Sequence, residues 1–218
     1  MSDGAAARIG FACLWDAHQA STWSYTPSNL RAGMRRHTDV AEVVDVGVEV
    51  PPLTRTALRA LHPRWRHGRF VTTWQHSRLT DAYCRRDLER MVAEAGCDAV
   101  LEIQDLAALA APFFIYQDLS YDALLADADG TDAALLSISR RTMRRRRERQ
   151  LEVYERAAGV LAMSNWFARS LVERTGLPAN KVHVVQPGLS AGTSSARAAT
   201  RSWPPRRSCA ATSVHRSR

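Results

Sequence analysis

Apolar runs alternate with amphipathic stretches along the first 188 residues of the chain. Ile9 to Trp15 is the first run, and Val40 to Val50 is a second run in which Val residues alternate with polar ones. Shorter apolar runs follow at Ala99 to Ile103 and at Phe113 to Tyr116. Runs of this length are typical of strands buried in a parallel sheet. Residues 53 to 77 show no regular pattern and are predicted to be irregular.

Helical periodicity appears between these runs. A polar loop from Asp16 leads to Thr26, which is predicted to cap a first helix that has Pro27 in its first position. A long charged helix is predicted from Arg140 to Ala158. The clearest amphipathic pattern predicts a helix that ends at Gly96, with its apolar positions at Cys84, Leu88, Met91, Val92 and Ala95.

The stretch from Glu152 to Gly188 contains a complete helix, strand, helix and strand in that order. Val160 to Met163 predicts a buried strand, Ser164 is placed to cap the next helix, and Val182 to Val185 predicts another strand. Short connections between alternating helices and strands indicate an α/β fold. We therefore predict a Rossmann-like open parallel sheet with helices on both faces, formed by residues 8 to 188.

Three short segments at the end of this unit also resemble a known family. They are Glu152 to Ala157 with its acidic residues, Ser164 to Ala168, and Lys181 to Gly188. In this order and spacing they resemble the end of the N-terminal domain of retaining family 4 glycosyltransferases, which have the GT-B fold. The resemblance implies an acceptor-side lobe, which in that family is followed by a second domain that binds the nucleotide-sugar.

The resemblance also implies site residues. The run Trp23-Ser24-Tyr25-Thr26-Pro27 is similar to a Trp-Ser-Gly-Thr-Pro run of some members, which implies that Trp23, Ser24 and Thr26 contact acceptor or sugar. Asp118 follows a strand at the position where the family has a His or Asp that contacts the transferred sugar, which implies a catalytic role. Without the resemblance, the Trp23 run is an ordinary helix start and Asp118 is a helix N-cap.

The implied reaction is retaining transfer of a hexosyl group from a nucleotide-sugar co-substrate to an acceptor of unknown identity. The family requires neither a metal nor a bound cofactor. The sequence has no G-x-G-x-x-G loop, which argues against a dinucleotide site.

The formal net charge of +8 is unevenly distributed. Six of the eight charges come from arginines in residues 190 to 218, so the body is nearly neutral, which argues against nucleic acid as its partner. The densest basic run in the body is Arg144 to Arg147. It is interpreted as a solvated helix face with i, i+4 ion pairs, and the alternative is peripheral contact with anionic lipid at the inner face of a membrane.

The compartment is predicted from the cysteines and the N-terminus. Cys13, Cys84, Cys97 and Cys209 show no paired spacing and are interpreted as reduced thiols. The N-terminus lacks the order of a secretory signal. A cytoplasmic protein is predicted.

Residues 189 to 218 are predicted to form a disordered basic tail, because residues 190 to 218 contain no Asp, Glu, Ile, Leu, Phe or Tyr. Two explanations stay open: a natural tail that contacts RNA or membrane, or out-of-frame translation of a GC-rich gene. In the second case the donor-binding half is absent, and we expect this chain alone to turn over no donor. The alternative function is a non-catalytic α/β binding module whose basic tail contacts nucleic acid or anionic membrane.

Overall fold

A computed structural model describes residues 7–37, 41–66, 69–126 and 138–188. The predicted tail at residues 189–218 lies outside these described residues. The described strands, in chain order, are β1 Ala7–Ala12, β2 Leu14–Trp15, β3 Ala41–Asp45, β4 Val48–Glu49, β5 Pro63–Arg66, β6 Arg69–Thr72, β7 Ala99–Ile103, β8 Phe113–Gln117, β9 Gly159–Ala162 and β10 Val182–Val184. The described α-helices are α1 Thr26–His37, α2 Pro52–Leu61, α3 Arg78–Ala95, α4 Tyr121–Ala126, α5 Arg140–Arg156 and α6 Asn165–Glu173.

Six strands form one parallel sheet in the order β10-β9-β8-β7-β1-β3. Strands β2 and β4 pair separately in parallel, and β5 and β6 form an antiparallel hairpin. The fold is therefore α/β with a Rossmann-like open parallel sheet, as the sequence predicts. In the part of the chain that the structure describes, no helix is long and apolar enough to cross a membrane.

Successive strand residues pack into two apolar clusters on opposite faces of the sheet, as strand geometry requires. On one face, Ile115 and Val160 pack with residues of α3, α5 and α6 such as Leu88, Tyr154 and Phe167. On the other face, residues of β1, β7 and β8 pack with α1. Helices thus cover both faces, which agrees with the prediction.

Local signals set the helix boundaries that the sequence indicates. Ser164 caps α6, since its hydroxyl accepts the N–H of Phe167 at 3.1 Å. Ser77 and Ser139 cap α3 and α5 in the same way. Helix α3 ends at Gly96, whose φ of 61° is the left-handed conformation that glycine adopts without strain. The predictions of a capped helix after Ser164 and of a helix that ends at Gly96 are confirmed.

Two local predictions are wrong. The segment predicted as irregular contains α2 and the β5–β6 hairpin. The segment predicted as a polar loop contains a 3₁₀ helix, Gln19–Tyr25, that continues directly into α1. Thr26 consequently has helical dihedrals, φ −56° and ψ −51°, and is not an N-cap, because a capping residue keeps an extended backbone.

Candidate functional site

A cleft of about 490 Å³ opens at the carboxyl edge of the main sheet. Strand β1 lies between β3 and β7, so the chain leaves β1 toward one side of the sheet and later returns on the other. Open α/β sheets bind ligands at this reversal, beyond the carboxyl ends of the strands. The residues that follow β1, β7 and β8 all line the cleft. The cleft is therefore the candidate functional site, because it lies at this reversal of the strand order.

Polar side chains and aromatic side chains both line the cleft. Carboxylates and amides come from the strand ends, aromatic rings come from the surrounding helices, and arginines come from α2 and α5. The lining includes Trp23, Arg55, Arg59, Trp74, His76, Gln104, Asp105, Gln117, Asp118, Tyr121 and Arg146.

Asp118 stands exposed at the end of β8 and is held from the neighbouring strand. The side-chain amide of Gln104 donates a hydrogen bond to Asp118 Oδ1 at 3.3 Å. Gln104 itself has a positive φ of 69°, as does Trp23 with a φ of 50°. Among the described non-glycine residues only these two and Tyr25 show a positive φ. Backbone strain of this kind collects at ligand sites, and here two of the three strained residues line the cleft.

A buried hydrogen-bond network fixes the strand ends from behind. Asp105 Oδ1 accepts from the side-chain amides of Gln117 at 3.3 Å and Gln150 at 3.1 Å. The Tyr154 hydroxyl donates to Gln117 Oε1 at 2.7 Å, and Gln150 Oε1 accepts the N–H of Tyr121 at 2.9 Å. A satisfied buried network costs little and holds its members in one arrangement. The loops that carry Asp118 and Tyr121 are therefore preorganised.

Glu102 holds the loop after β7 from inside the protein. Its Oε2 accepts the backbone N–H groups of Leu106 at 3.1 Å and Ala107 at 3.3 Å. The residue is fully buried, and Oε1 has no hydrogen-bond partner among the described residues. Burial raises the pKa of the Glu102 carboxyl well above its ordinary value, although the two backbone hydrogen bonds oppose that shift.

Arg146 of α5 lines the cleft and contacts Tyr121 there. Arg146 Nε donates to the Tyr121 hydroxyl at 3.2 Å, and Arg146 Nη1 forms an ion pair with Asp81 of α3. The Tyr121 hydroxyl also lies 3.4 Å from His76 Nδ1. Burial and then the charge of Arg146 lower the pKa of His76 to about 4, so its ring is neutral at pH 7.

The structure brings two of the predicted site residues together and separates a third. Trp23 and Asp118 line the same cleft although they are 95 positions apart in the sequence. Thr26 is the first residue of α1 and is not among the lining residues. The side chain of Ser24 lies outside what the structure describes. The role predicted for each stays a prediction.

The N-cap interpretation of Asp118 is wrong. Helix α4 begins at Tyr121, and the residue that caps it is Ser120, whose hydroxyl accepts the N–H of Ala123 at 3.2 Å. The carboxylate of Asp118 is therefore not used by a helix end. Its contact among the described residues is the hydrogen bond from Gln104.

The solvated-face interpretation of Arg144 to Arg147 is wrong for Arg146 and Arg147, whereas Arg144 is exposed. Arg146 is 9% exposed and pairs with Asp81, while Arg147 pairs with Asp122 of α4. Arg149 pairs with Asp105, with 3.5 Å between Nη1 and Oδ2, and with Asp81. These ion pairs join α5 to other elements and are not i, i+4 pairs on one helix. Sequence reasoning consequently missed Arg146, as it missed His76 and Gln104.

Neither a family model nor a curated protein matches this sequence. The resemblance to family 4 glycosyltransferases thus stands on the residues quoted for it. Within the described ranges, no group of three or more His, Cys, Asp or Glu residues is arranged to hold a metal ion.

Proposed function

We propose that residues 8 to 188 form the acceptor-side lobe of a retaining glycosyltransferase that takes a hexosyl group from a nucleotide-sugar. The observation that carries the proposal is that Trp23 and Asp118, which lie in separate sequence segments, line one cleft at the reversal point of the sheet. Both segments follow strands whose carboxyl ends meet at this edge. Their convergence is what a shared ligand requires.

The cleft chemistry suits a sugar. A hydroxyl group of the ligand can donate to the Asp118 carboxylate, which keeps further acceptor positions besides the one that Gln104 uses. The ring of Trp23 is 50% exposed and offers an apolar surface to the C–H face of a pyranose. Negative charge at Asp118 would also stabilise the oxocarbenium-like transition state of glycosyl transfer.

The experiment is calorimetric titration of the chain with a panel of simple hexosides. We expect at least one hexoside to bind, and we expect Asp118→Asn to weaken it by about tenfold, since hydrogen bonds to a charged group contribute roughly 1.5–3 kcal/mol. Glu173→Gln is the matched control, because Glu173 is an exposed carboxylate on α6. The control variant should bind like the unchanged protein.

Trp23→Ala provides the second arm. Loss of the stacking surface should weaken hexoside binding, whereas Trp166→Ala, which removes a similarly exposed Trp of α6, should not. The proposal fails if no hexoside binds, or if binding is unchanged in both Asp118→Asn and Trp23→Ala. The binding-module alternative depends on residues 189–218, which lie outside the described residues.

A further inference from the structure

Helix α2 presents two arginines to the cleft. Arg55 and Arg59 lie one turn apart on the same side of the helix, and both line the cleft. Leu58 lies on that side too and is buried in one apolar cluster with Val50 and Trp74. Because Trp74 also lines the cleft, this packing holds the arginine-bearing side of α2 against it.

The positive charge of the two arginines is not neutralised by the protein. In the described part of the chain no ion pair joins Arg55 or Arg59 to an acid. Arg55 Nη2 donates to the backbone oxygen of Val50 at 3.1 Å, which orients the guanidinium and leaves its other N–H groups available. Like charges four residues apart destabilise a helix. An anion bound between the two arginines would remove that repulsion.

The other charged groups of the cleft divide into paired and unpaired ones. Arg146 and Asp105 are each held in an ion pair with a helix residue. Asp16 and Asp118, at the ends of β2 and β8, are exposed acids that form no ion pair within the described ranges. The cleft therefore offers cations from α2 and carboxylates from the strand ends. A ligand that suits both has an anionic group and hydroxyl groups.

We propose that Arg55 and Arg59 bind a phosphate group of the acceptor, so that the cleft takes a phosphorylated hexose in preference to a neutral one. The planar fork of arginine matches the oxygens of phosphate. A phosphate monoester has nearly two negative charges at pH 7, as two guanidinium groups require. Hydroxyl groups of the same ligand donate to Asp118. This assignment rests on the proposed function, since it names the class of acceptor for the same cleft.

Phosphate is the anion that fits this pair of arginines best. A carboxylate has a single charge and would leave one of the two arginines without a counterion. Phosphate itself could belong to the acceptor or to the nucleotide-sugar. Because the proposed function leaves the nucleotide to a second domain, we assign the phosphate at Arg55 and Arg59 to the acceptor, and the test includes both sources.

The test is calorimetric titration of the full chain with methyl hexosides, the corresponding hexose 6-phosphates, inorganic phosphate, and uridine and guanosine diphosphate. We expect at least one hexose 6-phosphate to bind about tenfold or more tightly than its methyl hexoside, because charge-assisted hydrogen bonds are roughly twice as strong as neutral ones. The difference should shrink when NaCl is raised from about 0.05 M to about 0.5 M, since salt screens exposed charges.

Two pairs of arginine variants locate the phosphate contact. Arg55→Gln/Arg59→Gln should weaken hexose 6-phosphate binding by about tenfold or more and change hexoside binding much less. Arg85→Gln/Arg86→Gln is the matched control, because it removes two exposed arginines of α3 that do not line the cleft. If the double variant of α2 does not fold by circular dichroism, Arg59→Gln alone should show part of the loss, since it keeps the hydrogen bond from Arg55 to Val50.

Three results would overturn the phosphate assignment. They are equal affinity for hexose 6-phosphate and hexoside, an equal loss of both in Arg55→Gln/Arg59→Gln, or an equal loss in Arg85→Gln/Arg86→Gln. Hexoside binding that depends on Asp118 would in each case leave the proposed function standing.

Two further results concern the source of the phosphate. A nucleoside diphosphate that binds as tightly as hexose 6-phosphate, and is lost in Arg55→Gln/Arg59→Gln, would overturn the assignment to the acceptor. Equal affinity for inorganic phosphate and hexose 6-phosphate, without any hexoside binding, would contradict the proposed function, because the arginines would then bind phosphate without a sugar contact.

Discussion

Helix α5 and residues 51–73, called the basic segment below, are both rich in arginine, and their arginines differ in what they contact. From α5, Arg146, Arg147 and Arg149 form ion pairs with acids of α3, α4 and the loop after β7. From the basic segment, Arg55 and Arg59 form no ion pair within the described residues. The α5 charges are thus neutralised within the fold, whereas Arg55 and Arg59 line the cleft without an acidic partner among the described residues, although Arg55 Nη2 donates to the backbone oxygen of Val50 at 3.1 Å.

The role of a charged side chain is therefore indicated by its structural environment and not by the density of charge along the sequence. A buried arginine whose acid is supplied by another helix is structural, since breaking such a pair leaves a charge without compensation. An arginine that lines a cleft without an acidic partner keeps its charge available to a ligand. Four predictions, in order of decreasing effect, test this contrast.

Arg146→Leu should lower the free energy of unfolding by about 3 kcal/mol, because it leaves Asp81 without its closest cation in a partly buried site. Urea denaturation measures the change. Arg59→Leu is the matched variant from the basic segment, and it should change the free energy by less than about 0.5 kcal/mol. Equal costs for the two variants would remove the contrast between the regions.

The pH dependence of stability should report on His76, which packs beside Arg146, Arg145, Asp81 and Tyr121. Its pKa of about 4 lies below the ordinary value of 6.5, so between these values the unfolded chain binds a proton that the folded chain does not. Stability from this group is complete above pH 6.5 and is lost as pH falls toward 4.

His76→Gln, which cannot take up that proton, should therefore lose less stability than the unchanged protein between pH 7 and pH 4, by up to about 3 kcal/mol. Urea denaturation at both pH values measures the difference. His183→Gln changes an exposed histidine on β10 and serves as control. Parallel pH profiles for the unchanged protein and His76→Gln would show that the fold does not lower the pKa of His76.

Glu102 is a buried acid that forms no ion pair with a described arginine, and the pH dependence of its stability contribution should be opposite to that of His76. Because its folded pKa is raised, its stability contribution is complete at low pH and is lost as pH rises through the folded pKa. Glu102→Gln should raise the melting temperature at pH 7 by about 2–4 °C, which is the shift that roughly 1 kcal/mol causes in a domain of this size. The same substitution should not raise the melting temperature at pH 4. A lower melting temperature at pH 7 would contradict this.

The smallest change in stability is expected for the exposed residues of α2, which are Leu53, Ala57 and Leu61. Leu53→Ala should change the free energy of unfolding by less than about 0.5 kcal/mol, because the side chain is already in water. Leu58→Ala on the inner side of the same helix should cost about 2–3 kcal/mol. Denaturation of both variants shows whether Leu53 contributes to the core, and a cost like that of Leu58→Ala would mean that it does.

The sheet and its helices could largely be predicted from the sequence because their signals are local. Strands β7 and β8 and helix α3 follow from short-range periodicity and from Gly96. Helix α2 was missed although the Leu53, Ala57 and Leu61 spacing is present, because that stripe does not face a core. The hairpin was missed because β5 places Trp65 between two arginines and β6 has only four residues, so neither strand shows the apolar run of a buried strand.

Some features of the candidate site could likewise be predicted from the sequence, and others could not. The positions of Trp23 and Asp118 at the sheet edge follow from strand order, and the cleft contains both. The role of Arg146 could not be predicted, because its partner Asp81 is 65 positions away and only the packing of α5 on α3 joins them. Gln104 also depends on a tertiary contact, since it reaches Asp118 from the adjacent strand.

The assignment of the cleft is best tested by the indole N–H signals of the ¹⁵N-labelled chain, since one spectrum separates the tryptophans of the cleft from exposed tryptophans outside it. Hexoside should shift the signals of Trp23 and Trp74, which line the cleft, and leave Trp65 and Trp166 unchanged. A hexoside that shifts Trp65 or Trp166 while Trp23 and Trp74 stay fixed would contradict the assignment of the cleft as the ligand site.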